Sequence, residues 1–173
     1  GWEEHRGNLA VIKDGRIVQQ SAHWKSGGID RLVGDTITAN EKYVFFATGT
    51  PNGHDGKVLG TTLARRDRAN VAQRKNELRA AADVRIRGLT VHRDRVFAAC
   101  EDNRVRVFDE SLRPLGQWEA PSPGELAADS RGRVWVIDTA QSAVRCYESD
   151  GRPLPVQVAL PSGAIPTDVA VTG

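Results

Sequence analysis

The sequence of 173 residues is poor in several residue types that stabilise or activate small proteins. It contains no methionine, two cysteines and four histidines. Cys100 and Cys146 are too few for a disulfide-stabilised miniprotein and lack the C-x-x-C spacing of zinc and redox sites. Because free cysteine is commonly buried as a small apolar residue, we expect both to be ordinary strand residues, with a disulfide between them as the alternative.

The sequence motifs of common enzymes are also missing. There is no Gly-x-Ser-x-Gly elbow, no phosphate-binding glycine loop and no His-Glu-x-x-His helix. The acidic pair Glu101-Asp102 is adjacent in sequence, and adjacent side chains of a strand point to opposite faces, so the pair cannot flank one substrate bond. These absences disfavour hydrolase and nucleotide chemistry, and we assign no residue a catalytic or metal-ligating role.

Charge and hydrophobicity limit the class of protein further. Lys and Arg number 24 against 22 Asp and Glu, a formal charge of +2, so we expect no nucleic-acid partner. Hydrophobic residues make up 39%, which favours a folded chain, and no apolar run reaches the ~18 residues of a membrane span. Since the sequence begins at Gly1 without methionine, we expect it to be a fragment or processed product of a longer chain.

An internal repeat is the strongest positive signal. Three segments, Asp35–Gly49, Arg87–Asp102 and Glu125–Thr139, each contain an alternating apolar stretch, a short polar turn and an apolar, aromatic strand. The valines at 44, 96 and 134 are equivalent points, separated by 52 and 38 residues (96 − 44 and 134 − 96). These intervals bracket the ~40–50 residues of a propeller blade.

Each of these hairpins is followed by further strands. In Arg104–Phe108 and Ala143–Tyr147 apolar and arginine side chains alternate, as a half-buried strand requires. A turn rich in Asp, Ser and Gly and a fourth strand come next. The pattern predicts an all-β fold: a β-propeller of four-stranded antiparallel blades, incomplete within this chain because a closed ring has ~4–8 blades.

The predicted division treats residues 1–173 as one partial propeller. Its parts are the end of one blade (1–30), a blade with a long basic excursion (31–82), two further blades (83–122 and 123–163) and the start of another (164–173). Within the first full blade, Leu63–Ala82 is arginine-rich and lacks clear alternation. We interpret it as a solvated surface excursion, with a short basic helix as the alternative. No aromatic residue is interleaved for base stacking.

Two segments, Val96–Asp109 and Val134–Tyr147, resemble the core of an NHL repeat. That core is an apolar strand, a loop containing Asp and Asn, and a strand that ends in an aromatic residue and an acid. The resemblance is good over residues 85–160. It implies an NHL-type propeller in which Asp102, Asn103, Asp109 and Asp138 tie the loop together by hydrogen bonds to the backbone.

The candidate ligand-binding residues lie in loops, where binding residues concentrate on rigid scaffolds. Asn52, His54 and Asp55 occupy a glycine-rich loop, for which a plain polar turn is the alternative interpretation. His92 ends a first strand, where an imidazole near the propeller axis competes with an ordinary turn residue. The set is completed by the motif residues Asp102, Asn103 and Asp138.

The resemblance leaves function open, because fold does not fix function. We expect a non-catalytic module that binds a protein or glycan, with no cofactor, and with another chain or a missing segment completing the propeller. The alternative is a lactonase-like, gluconolactonase-type hydrolase with a divalent metal such as calcium in the channel. Bacterial NHL-type repeat proteins are often exported, so the resemblance implies an extracytoplasmic or secreted location.

Overall fold

The computed structural model describes residues 10–13, 16–20, 31–51, 58–71, 77–82, 84–161 and 163–171. In these ranges the regular structure is β-strand apart from one 3-10 turn, Arg68–Asn70. The strands are β1 Ala10–Lys13, β2 Arg16–Gln20, β3 Arg31–Ala39, β4 Tyr43–Pro51, β5 Val58–Asp67, β6 Leu78–Ala81, β7 Ile86–His92, β8 Arg95–Cys100, β9 Arg104–Asp109, β10 Pro114–Glu119, β11 Pro123–Ala128, β12 Val134–Asp138, β13 Ala143–Tyr147 and β14 Pro153–Ala159.

Strands that follow one another in sequence pair antiparallel with one another. They form three four-stranded sheets, which we name the first blade (β3–β6), the second blade (β7–β10) and the third blade (β11–β14). Strands β1 and β2 form a separate two-stranded sheet within the part of the chain predicted to be the end of a blade, 1–30. The predicted fold class, all-β with four-stranded antiparallel blades, is confirmed.

The second blade is apolar on both faces because it lies between the other two. Val96 and Phe108 on one face belong to an apolar core shared with the first blade. Phe97 and Val105 on the opposite face belong to a core shared with the third blade. Strand β8 is therefore buried from Val96 to Cys100 without interruption, which is the burial pattern of a strand covered on both faces.

The first strands of consecutive blades lie side by side. Strand β7 contacts β3 on one side and β11 on the other. The blades thus meet at their first strands, and their fourth strands, β10 and β14, are mostly exposed. This arrangement agrees with hairpins stacked around a common axis.

One expectation from the sequence is wrong in detail. The stretch from Leu63 to Ala82 holds the end of β5, the 3-10 turn and the fourth strand β6, with residues 72–76 outside the described part of the chain. Arg66 there is 8% exposed rather than solvated, because Glu77 accepts a hydrogen bond from its Nε at 2.6 Å. The start of another blade at residues 164–173 stays a prediction, since residues 164–171 have no described strand to pair with.

Two further predictions from the sequence concern the state of the cysteines and membrane-spanning segments. Cys100 and Cys146 are free and buried in strands β8 and β13. Among the described residues, no helix has the length and apolar character needed to span a bilayer.

Candidate functional site

The antiparallel order of strands sends successive connections to opposite ends of each blade. We call the end with segments 101–103, 120–122 and 139–142 the loop end, and the end with segments 40–42, 93–94, 109–113, 129–133 and 148–152 the turn end. Asp102, Asn103 and Asp138 lie at the loop end, whereas His92 lies at the turn end. Asn52, His54 and Asp55 fall outside the described residues.

Asp138 ends strand β12 and is 1% exposed. Its Oδ1 accepts hydrogen bonds from the backbone amides of Ala140 and Gln141, both at 3.1 Å. Its Oδ2 accepts a bond of 2.8 Å from Nε of Arg145 on the neighbouring strand. Both carboxylate oxygens are therefore engaged in shaping the loop between β12 and β13.

Asp102 forms the corresponding ion pair in the second blade. Nη1 and Nη2 of Arg106 donate to its two oxygens at 3.1 and 2.8 Å. This pair is more exposed than the Asp138 pair, with 30% of the Asp102 side chain accessible. Arg106 also contacts Cys100, yet burial is the largest influence and raises the pKa of the Cys100 thiol, which disfavours the reactive thiolate.

Asn103 connects the second blade to the third. It has a left-handed backbone, φ 61°, which asparagine tolerates better than most residues. Its Oδ1 accepts a bond of 3.1 Å from the amide of Ser122, and its carbonyl accepts one of 2.9 Å from the amide of Ala120. Asn103 therefore fixes the connection into β11 through hydrogen bonds to backbone, as the NHL resemblance implies.

His92 stands apart from these three residues, at the other end of its blade. It is half-buried, and its ring lies against Gly132 of the third blade, where a Cβ would be 3.2 Å from Cδ2. The structure thus brings Asp102, Asn103 and Asp138 to one end and separates His92 from them. Ligand binding by these four residues stays a prediction.

The turns at the turn end share a five-residue pattern that the sequence reasoning missed, although it predicted polar turns after β9 and β13. Each copy has an acid at its first position and arginine at its fifth: Asp109–Arg113, Asp129–Arg133 and Glu148–Arg152. In every copy the backbone amide of the acid donates to the arginine carbonyl, at 2.9 to 3.0 Å. The fourth position is left-handed: Leu112, Gly132 and Gly151. The spacing of acid and arginine is visible in the sequence and was the available signal.

Asp129 is the most fully bonded acid of these turns. Its Oδ1 accepts from the amides of Arg131 and Arg133, and its Oδ2 accepts from Nε of Arg133 at 2.6 Å and from Nε1 of Trp135 at 3.3 Å. Burial alone would raise the pKa of Asp129. The hydrogen bonds from Arg133, Trp135 and Arg131 favour the carboxylate and outweigh burial, so its pKa is lowered.

The donor side chains needed for a metal are dispersed in the described ranges. No three His, Cys, Asp or Glu side chains in those ranges are close enough together to hold a metal ion. The carboxylates of Asp102 and Asp138 at the loop end instead face arginine or backbone amides.

No protein-family model matches the sequence, and no curated protein matches it. Solved structures do resemble the fold. A chain of the mitotic checkpoint complex superposes with a TM-score of 0.59 at 12% identity, over 93% of this chain and 46% of that one. BBS1N in complex with ARL6DN gives a TM-score of 0.57 at 14% identity, over 94% of this chain and 49% of that one.

These neighbours are propeller proteins, and they decide the fold. The chain folds as β-propeller blades. An enzyme of the same fold, luciferin-regenerating enzyme, has a TM-score of 0.59 at 16% identity, over 79% of this chain and 49% of that one. The propeller segment therefore spans about half the length of each of these matched chains.

Proposed function

We propose that this propeller segment is part of a non-catalytic module that binds another protein through its end loops. The observation that carries the proposal is the engagement of the described loop-end carboxylates in the scaffold. Asp138 and Asp102 have both oxygens bonded within their own blades. Carboxylates bonded in this way hold the loops in one conformation. Because the loops are already ordered, less conformational entropy is lost when a partner binds to them.

Two further points support a binding role. Propellers similar to this one occur in protein complexes, namely BBS1N with ARL6DN and the mitotic checkpoint complex. Among the described residues the lactonase-type alternative has no cluster of metal donors to support it. The proposal also includes three features predicted from the sequence. These are the NHL type of the repeat, an extracytoplasmic location and further blades that complete the ring.

The test uses a photo-cross-linking residue in the intact protein, expressed in its host. It is placed at exposed Gln141 of the loop end, at exposed Ser111 of the turn end and, as a control away from both ends, at exposed Gln157 of β14. We expect one protein to be cross-linked from an end position and not from Gln157. Purified, that protein should bind the intact module in calorimetry, and substitutions around the cross-linked position should weaken the binding.

Two outcomes would overturn the proposal. One is the absence of a defined cross-linked protein from either end. The other is a stoichiometric divalent metal in the purified intact protein together with hydrolysis of gluconolactone, which would support the metal-dependent hydrolase.

A further inference from the structure

Four connections at the turn end form one continuous surface across the blades: 40–42 in the first blade, 93–94 and 109–113 in the second, and 129–133 in the third. The Nδ2 of Asn40, in the first blade, donates both to the carbonyl of Arg93 at 3.1 Å and to Oε1 of Glu110 at 2.7 Å. A single amide thus joins the two turn-end connections of the second blade. On the other side, His92 packs against Gly132 in the turn of the third blade.

Four arginines are exposed on these connections: Arg93, Arg95, Arg113 and Arg131. None of their side chains forms an ion pair with a carboxylate of the described residues. At the loop end, Arg106 and Arg145 are neutralised by Asp102 and Asp138, whereas the exposed Arg85 and Arg104 pair with no carboxylate of the described residues.

The acids of the same connections are turned toward the protein. Asp109 accepts from the amides of Ser111 and Arg113, and Asp129 is buried with four hydrogen bonds. Glu110 is held by Asn40 and by Lys42, whose Nζ is 3.5 Å from Oε2. In segments 40–42, 93–95, 109–113 and 129–133 the exposed carboxylates are those of Glu41 and Asp94, against the four arginines and Lys42, so positive charge predominates in the layer that a partner would touch.

We infer that this surface, defined by Arg93, Arg95, Arg113 and Arg131, docks a carboxylate-rich segment of a partner protein. This inference rests on the proposed function and specifies the end of the propeller and the chemistry of the partner. Unpaired guanidinium groups present planar forks that match carboxylates in bidentate geometry. The charge of the surface is complementary to an acidic segment and guides its approach and orientation.

A nucleic acid fits this surface less well than an acidic protein segment. The described turn-end connections expose no aromatic ring for base stacking, since Tyr43 and Trp135 are each half-buried beside an arginine. Asp94, between Arg93 and Arg95, would also face the phosphates. The formal charge of the whole chain is only +2.

The test compares two double charge reversals in the intact protein. Arg113→Glu with Arg131→Glu changes the turn end, and Arg85→Glu with Arg104→Glu makes the same change of charge at the loop end. All four side chains are exposed, and none pairs with a described carboxylate. The probes are a fluorescein-labelled oligoglutamate peptide and an oligothymidine of equal length, followed by fluorescence anisotropy over a range of salt concentrations.

We expect the unaltered protein to bind oligoglutamate in a salt-dependent manner and more tightly than oligothymidine. The turn-end reversal should weaken binding about tenfold or more, and the loop-end reversal should change it little. The inference is overturned if oligoglutamate does not bind, if both reversals act equally, or if oligothymidine binds more tightly. Cross-linking of a partner from Gln141 with no oligoglutamate binding would refute this inference and leave the proposed function standing.

Discussion

Gly88 in β7 lies directly against Glu125 in β11, the first strand of the next blade. A Cβ atom on Gly88 would be 2.8 Å from the Cα of Glu125 and 2.8 Å from the carbonyl oxygen of Gly124. Those neighbours are backbone atoms, which cannot rotate away as a side chain can. The absence of a side chain at position 88 therefore sets the distance between the inner strands of two blades.

Replacing Gly88 by alanine should separate these strands. We expect Gly88→Ala to lower the free energy of unfolding by about 2–3 kcal/mol, as overpacking of a close contact does. Gly116→Ala is the matched control, because Gly116 also lies in a strand and a Cβ there meets nothing within 4 Å. Urea unfolding should show a change within about 0.5 kcal/mol for the control. Equal effects of both variants would contradict the close packing of β7 and β11.

The left-handed glycine of the third acid–arginine turn gives a second prediction. Gly151 has φ +91°, and a Cβ there would be 2.7 Å from Cδ2 of Trp118 in the second blade. We expect Gly151→Ala to destabilise the protein by about 2 kcal/mol or more, from backbone strain and from displacement of the indole. Gly163, at φ +82° with nothing within 4 Å, isolates the backbone contribution. Gly163→Ala should lower the free energy of unfolding by only about 1 kcal/mol, measured by thermal or urea unfolding. Equal losses for Gly151→Ala and Gly163→Ala would show that Trp118 does not constrain position 151.

Asp138 and Asp102 should differ in their contribution to stability although both pair with arginine. Asp138→Ala leaves two loop amides and the partly buried Arg145 without their acceptor, and we expect a loss of about 2–3 kcal/mol. Asp102→Ala removes a partly exposed pair and should cost under about 1 kcal/mol. Chemical denaturation of the two variants measures the difference. A larger loss from Asp102→Ala would contradict a structural role for Asp138.

Asp129 should make stability depend on pH in the acid range. The pKa of its carboxyl is lowered in the folded protein, so ionised Asp129 stabilises the fold above its unfolded-state pKa. That contribution is lost as the pH falls below the unfolded-state pKa and through the lower folded-state pKa. We expect Asp129→Asn to be less stable than the unaltered protein near neutral pH, with the gap narrowing in acid. Unfolding curves from neutral pH to strong acid test this, and a gap independent of pH would refute it.

The two cysteines should be inert in the folded protein. Burial is the largest influence on both thiols and raises the pKa of Cys100 and of Cys146. We expect neither to react with Ellman's reagent under native, mildly alkaline conditions and both to react after denaturation in guanidinium chloride. Rapid labelling of either thiol in the native protein would show that its strand opens locally.

The repeat in the sequence predicts the architecture well, because blade strands carry a local signal. In β9 the alternating Val105 and Val107 are buried in the core shared with the third blade, as the two-residue period of the strand predicts. Strand β6 escaped prediction because it is short, Leu78–Ala81, and its one arginine, Arg79, resembles those of a solvated segment. Its neighbour Glu77 pairs with Arg79 and also with Arg66, eleven residues earlier, and the contact with Arg66 has no local pattern.

The candidate site shows the same division between local and distant contacts. That Asp138 and Asn103 tie loops together follows from the motif, whereas the separation of His92 from them needed the order of strands in the blade. The exposed arginines of the turn end could not be distinguished from other arginines in the sequence. Only the fold shows which carboxylates turn inward to backbone amides and which exposed guanidinium groups pair with no carboxylate of the described ranges.

The sequence by itself determined the number of strands in a blade, their antiparallel order and the residues that form the turns. These features arise from the two-residue period of strands and from short-range hydrogen bonds. The tertiary structure alone decided which blade faces meet, how closely β7 approaches β11 and which charges remain unpaired. Those outcomes depend on contacts between residues far apart in the chain, which no pattern of neighbouring residues records.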